Sequence, residues 1–195
     1  MKFHRALLVG CLLGLSAAAL PAQVEIDNQW VRVERVNLDR ESFAARGPSV
    51  VVYLRDADDH AAGEVSYVSP GSQRNLASKP LQAIYIQLKQ PPSQAAPVSL
   101  DPVRLDPQHH IVLLENDRVR AIRTILEPHL KAPMHEHPHY VVVYLTELHT
   151  TMAMADGRNI DNVRRPGEIA WRDALKHATE NVGDRTAMEI QVELK

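Results

Sequence analysis

Pro133-Met-His-Glu-His-Pro-His-Tyr-Val-Val-Val-Tyr-Leu145 carries the two patterns that decide how this chain folds. Its second part, Val141-Val-Val-Tyr-Leu145, is an unbroken apolar run of the length of a buried strand. The same pentamer occurs earlier as Val50-Val-Val-Tyr-Leu54. Its first part sets His135 and His137 at i and i+2, which an extended strand sends to one face while Glu136 points to the other. The pentamer is repeated along the chain; the histidine pair is not.

Working outward from the pentamers, the repeat lengthens. Val24-Glu-Ile-Asp-Asn-Gln-Trp-Val-Arg-Val-Glu-Arg35 matches Val112-Leu-Leu-Glu-Asn-Asp-Arg-Val-Arg-Ala-Ile-Arg123, so that Asn28, Val31, Arg32 and Arg35 fall on Asn116, Val119, Arg120 and Arg123. Gly63-Glu-Val65 answers Gly167-Glu-Ile169, and Ile86-Gln-Leu-Lys89 answers Val192-Glu-Leu-Lys195. Four matches in one order imply an internal duplication. The seam, Gln90 to Pro107, is rich in prolines that lack the backbone donors of a central strand, and it reads as an extended linker in which Val98, Leu100, Val103 and Leu105 can dock on a neighbouring surface.

Each copy consists of short β-branched runs broken by Gly, Pro, Asp and Asn. Strands are predicted at Val31 to Val36, Val50 to Leu54, Leu81 to Leu88, Val119 to Leu126, Val141 to Leu145 and Met188 to Leu194. Asp156-Gly157 predicts a hairpin turn between Thr150–Ala155 and Ile160–Val163, and Pro166-Gly167 a second turn. No long amphipathic helix is visible, and Asp173 to Glu180 reads as strand and loop. The fold class is all-β, organised as a 1–22 leader, a 23–89 copy, a 90–108 linker and a 109–195 copy.

Lys2, His4 and Arg5 precede an apolar core from Ala6 to Leu15 and a small-residue stretch from Ser16 to Ala22, the layout of a secretory signal peptide cut after Ala22 or Ala19. That core is short for a membrane span, so no span is expected after cleavage; a retained anchor and lipidation at Cys11, within Leu8-Val9-Gly10-Cys11, are the weaker alternatives. Cleavage removes Cys11, the only cysteine, leaving a periplasmic or secreted chain of about 170 residues without disulfide or thiolate ligand, long enough for one large domain or two small ones. With 22 basic against 24 acidic residues and no basic run, nucleic acid is not expected as a partner.

Two imidazoles on one strand face are half of a transition-metal site, and His177, beyond Gly167-Glu-Ile-Ala-Trp171, is the candidate third. His-x-His, then a Gly-Glu-Ile turn, then His177-x-x-x-Asn181 resembles the two-part signature of the cupin superfamily, over Ile111 to Lys195 and more weakly over Val24 to Lys89. The resemblance implies two tandem double-stranded β-helix barrels, a bicupin with a degenerate N-terminal copy. It further implies Fe, Mn, Ni or Zn held inside the second barrel by His135, His137 and His177. Two features depart from it. The glutamate expected at Val141, four residues after His137, is absent, and Arg172-Asp-Ala-Leu-Lys176 replaces the usual Pro and Gly before the last histidine. Neutral three-histidine sets of this kind resemble those of small-molecule dioxygenases of the thiol or diketone type. Lack of the carboxylate equally suits a barrel that holds metal weakly, because an anionic ligand offsets the ion's charge.

The first copy lacks the equipment, with Arg46-Gly47-Pro48 where His135 to His137 would fall and Asn75 answering Asn181. Its Tyr53 to Gly63 connection is shorter than Tyr144 to Gly167 by the length of a hairpin, and it reads as structural. Near the trio, His139 and Tyr140 are candidates for a supporting or rim position. Met134, Met152, Met154 and Trp171 are candidates for an apolar pocket wall, each balanced against plain core. Arg123 would hold a substrate carboxylate if it pointed inward, although its survival as Arg35 favours a structural role. His129 and His149, and His109 and His110 beside the linker, read as surface residues. Two functions stay open: a metal-dependent cupin oxygenase for a small molecule, or a non-catalytic small-ligand-binding or structural barrel. Either is compatible with a homodimer.

Overall fold

The computed structural model describes residues 23–38, 43–56, 60–74, 81–89 and 98–195. The leader with Cys11, Asn75 and most of the proline-rich seam lie outside the described residues. The first half comprises β1 (Gln23–Asp27), β2 (Val31–Leu38), β3 (Phe43–Ala44), β4 (Ser49–Tyr53), β5 (Val65–Val68), β6 (Gln73–Arg74) and β7 (Leu81–Leu88). A one-turn helix, α1 (Pro102–Leu105), leads into β8 (His110–Glu115), β9 (Val119–Leu126), β10 (Lys131–His137) and β11 (Tyr140–Tyr144). Then come β12 (Leu148–Met154), β13 (Asn159–Arg164), β14 (Ile169–Arg172), β15 (Leu175–Asn181) and β16 (Ala187–Leu194). The protein is all-β apart from α1 among the described residues.

The internal repeat is visible in the topology. One five-stranded sheet has the order β1-β2-β7-β4-β5, and its counterpart runs β8-β9-β16-β11-β14, the same order position for position. The equivalence extends to single hydrogen bonds. Asn28 Oδ1 accepts from the amides of Trp30 and Val31, as Asn116 Oδ1 does from Arg118 and Val119. Gly63 N donates to Tyr53 O and Gly167 N to Tyr144 O. Both glycines sit at positive φ, 79° and 84°, a conformation a β-carbon would strain, which is why the Gly-Glu pair recurs.

The halves differ in their second sheet. In the second half it has four strands, β10-β15-β12-β13, whereas among the described residues of the first half it comprises the two strands β3-β6. Ala44 opposite Gln73 repeats Ala132 opposite Thr179, but the rungs beyond, which in β10 and β15 carry the histidines, have no described counterpart. The β12–β13 hairpin turns at Asp156-Gly157, where the Asp156 side chain accepts from Arg158 N.

The first four residues of each pentamer are buried, because β4 and β11 are covered on both faces, and Leu54 and Leu145 are partly buried. Val50 and Val52 meet Val141 and Val143 in one core, with Val31, Val33, Ile84 and Ile86 from the first sheet and Val119, Ala121, Ile190 and Val192 from the second. The alternate residues face inward within their own halves, Val51 and Tyr53 in one and Tyr140, Val142 and Tyr144 in the other. A continuous apolar run is what a doubly covered strand requires, and each such side chain contributes roughly 1.5–3 kcal/mol of burial.

The last part of the seam, from Val98, docks on the second half through polar contacts more than apolar ones. Glu136 Oε2 accepts from Ser99 N, Ser99 Oγ and Leu100 N, and Glu136 N donates to Leu100 O. Pro102 is buried, while Leu105 stays exposed, against the expectation that it docks.

Candidate metal centre in the C-terminal barrel

β10 and β15 are antiparallel neighbours in which His135 pairs directly with His177 and His137 with Leu175. Opposed residues in a sheet share a face, and the i, i+2 spacing adds His137 to it. The three imidazoles converge inside the second half, all three buried, with ring centroids 4.5–5.4 Å apart. One ligand-capable atom from each lies within 4.8 Å of the other two, and no other such group of His, Cys, Asp and Glu occurs among the described residues.

Hydrogen bonding fixes which nitrogens are free. His135 Nδ1 lies 2.7 Å from the carbonyl oxygen of Pro133, so it donates and Nε2 carries the lone pair. His137 Nδ1 donates to Glu193 Oε1 at 2.6 Å, and its Nε2 is buried with no partner. His177 Nδ1 is likewise buried without a partner. Burial holds all three below the ordinary imidazole value, His137 well below and His177 down to about 2; for His177 the next causes are His135, His137 and Arg172. They are therefore neutral at pH 7 and present lone pairs, the state metal coordination needs. Orphaned buried nitrogens cost free energy unless a ligand engages them. The donor set and its unsatisfied atoms fit a transition-metal ion.

The supporting residues come from places the motif does not mark. Glu193, buried on β16, also accepts from Arg120 Nε at 2.7 Å, and Arg120 Nη1 bonds Asp101, which caps α1, at 3.0 and 3.1 Å. Burial raises the Glu193 pKa, against Arg120, which lowers it. A carboxylate behind a ligating histidine fixes its tautomer and raises its basicity. One sequence signal existed: Glu193 replaces Gln87 in the otherwise similar closing quartets of the two copies. His110, read as a surface residue, is instead 1% exposed; its ring lies 5.2 Å from His135, and burial beside that ring lowers its pKa to about 4. Its parity on β8 turns it inward, which adjacency to a linker could not reveal.

His135 and His177 open on a narrow lumen lined by Thr124, Tyr140, Tyr144, Met152, Arg172 and Glu189 among others. Centres of water-sized molecules can occupy about 30 Å³ there, room for two or three waters at ~10–15 Å³ each. No family model matches the chain, and no curated protein matches it. Solved structures do. AerE from Microcystis aeruginosa aligns with 89% of this chain and 97% of its own length at 10% identity and a TM-score of 0.58. A cupin 2 conserved barrel domain protein from Leptotrichia buccalis aligns over 91% and 90% at 11% identity and a TM-score of 0.55. Bacillus subtilis oxalate decarboxylase aligns over 85% of this chain and 69% of its own at 13% identity and a TM-score of 0.55.

The fold is a cupin fold. Within it the remaining sequence candidates take definite places. Tyr140 and Met152 line the cupin lumen, and the Tyr140 ring stands 4.7 Å from His137. Met154 lies directly across from His177 in register but outside the narrow lumen lining. Met134 has the opposite strand parity to the histidines, and Arg123 pairs with Ile190, which faces the core between the two five-stranded sheets. Trp171 packs against that same core. The His139 ring is stacked between Trp30 and Trp171 at the junction of the halves, and its Nδ1 accepts from Ala174 N. Val141, where a glutamate was expected, also faces the intersheet core; its neighbour Val142, like Tyr140 and Tyr144, faces the lumen.

Proposed function

We propose that this protein is an exported metalloprotein of cupin fold, whose C-terminal barrel holds one divalent transition ion on His135, His137 and His177 and acts there on a small molecule. The observation that carries this is the convergence of three buried, neutral imidazoles with two orphaned ring nitrogens. The resemblance to oxalate decarboxylase, a protein with Mn(II) centres, adds the fold but neither the metal nor the reaction. A three-nitrogen set leaves open coordination positions, and a bound ion would supply Lewis acidity, or one-electron chemistry if it is redox-active.

The chain's own residues do the rest. Glu193 holds the His137 tautomer, the Pro133 carbonyl holds that of His135, and the lumen excludes all but a small ligand. Thr124 Oγ1 and Gln191 Oε1, buried without partners, offer it hydrogen bonds. An oxygenase of small molecules fits the open positions and narrow space; a binding barrel is the alternative, since the carboxylate beside the trio, Glu193, is already held by His137 and Arg120. Export rests on the leader's layout, and mass spectrometry of the N-terminus of protein recovered outside the cytoplasm tests it. For the metal, protein purified without an affinity tag is submitted to elemental analysis beside a His135→Ala/His177→Ala variant. About one ion per chain, lost in the variant, is expected; a metal-free wild type at saturating supply would leave the binding barrel as the better reading.

A further inference from the structure

Tyr140 pairs with Glu193 on one side and Arg172 on the other, and Glu193 pairs with Arg120. Glu115, Arg120, Glu193, Tyr140 and Arg172 thus form one rung across the sheet, in which Tyr140 and Arg172 line the lumen. The two arginines are unlike. Arg120 is engaged by carboxylates on both sides, Glu193 and Asp101. Arg172 lines the lumen and has no carboxylate within 4.0 Å among the described residues. Its polar contacts are two long ones from Nη2, to Tyr144 Oη and to Asn162 Oδ1, both at 3.4 Å, and Asn162 Oδ1 already accepts from Arg164 Nε at 2.9 Å. The lumen's own acid, Glu189, is bonded to Gln191 Nε2 at 2.8 Å and attracts Arg172 electrostatically without touching it.

A guanidinium offers five donors in a planar fork that matches a carboxylate. Arg172 is half-buried, and its two marginal contacts leave most of that capacity unused. We propose that Arg172 is the carboxylate anchor of the lumen, so that the ligand is a short monocarboxylate whose other end faces the histidines. The size follows from the cavity: space for a few waters suits an acid of two or three carbons. The proposal rests on the reading of the lumen as the ligand site.

The test is calorimetric titration of the full-length processed protein with acetate and with its neutral isostere acetamide, metal-free and Co(II)-loaded, for wild type, Arg172→Gln and Arg172→Lys. Acetate is expected to bind wild type at least tenfold more tightly than acetamide. Arg172→Gln is expected to weaken acetate at least tenfold while leaving acetamide unchanged, with Arg172→Lys between them because it keeps the charge and loses the fork. Acetate bound equally by wild type and Arg172→Lys, or no preference over acetamide, would overturn the proposal. Circular dichroism and melting verify that each variant folds; if Arg172→Gln does not, the Lys variant and the acetamide comparison decide. Failure of Co(II) to bind would count against the metal reading alone, because the acetate arm is read in metal-free protein as well.

Discussion

At the scale of single residues, Glu193 and Val142 decide how tightly the second barrel can hold an ion. Glu193→Gln keeps the shape but removes the charge behind His137, and affinity for Zn(II) or Co(II) is expected to fall about 10–100-fold in a competition titration. Unchanged affinity would show that the bond between Glu193 and His137 serves packing only. Val142→Glu places a carboxylate in the lumen beside the trio and is expected to tighten divalent binding at least tenfold. Val141→Glu, one position away, buries a charge between the sheets and should cost more than ~3 kcal/mol in denaturant unfolding. The sequence alone misplaced this site by one residue because strand parity depends on where the turn after His137 ends.

Acid stability is also set at this scale. His110, His135, His137 and His177 have folded-state pKa values below the ordinary 6.5, so the unfolded chain binds protons that the folded one refuses. Stability of the metal-free protein therefore falls as pH drops below about 6.5, by up to ~1.4 kcal/mol per pH unit for each histidine. For His110 the fall ends near its folded value of about 4. Glu189 and Glu193, raised by burial, act in the opposite sense and offset part of it, their contribution returning as pH falls through their folded values. Melting temperatures at pH 7.5, 6 and 5 should decline in that order, and less steeply in His177→Gln; a flat profile would contradict the neutral cluster.

At the scale of elements, the docked segment from Val98 to α1 braces the histidine strand from outside. Glu136, pointing away from the lumen as i, i+2 parity requires, takes three hydrogen bonds from Ser99 and Leu100. Glu136→Ala is expected to cost about 1–2 kcal/mol and to speed amide exchange of Leu100; unchanged exchange there would show that the segment is held elsewhere. Most elements were legible. Predicted strands at Leu81 to Leu88 and Val119 to Leu126 match β7 and β9 end to end, because β-branched runs bounded by turn residues leave few alternatives. The brace was not legible, since nothing local to Ser99 or Glu136 marks a contact across 37 positions of chain. The inward turn of His110 was hidden for a similar reason: in β8 the register slips between Val112 and Leu114, and no sequence period announces it.

At the scale of the molecule, the two five-stranded sheets share one core, so the halves depend on each other. Ile190, fully buried between them, should cost about 2–5 kcal/mol when replaced by Ala. Ile160, 38% exposed on the edge strand β13, should cost less than ~0.5 kcal/mol. Equal costs in urea unfolding would argue that the intersheet core is not packed as described. The duplication was readable from the pentamers because doubly covered strands tolerate only apolar residues; which half carries the three-imidazole cluster was readable from the histidines.

Anomalous diffraction from crystals of the tag-free protein soaked in Co(II) and recorded at the cobalt edge is the most direct test of the central claim. One strong peak is predicted, bonded to His135, His137 and His177 and missing from the His177→Ala variant. Full-occupancy cobalt bound elsewhere, or no peak among those three rings at saturating metal, would contradict it.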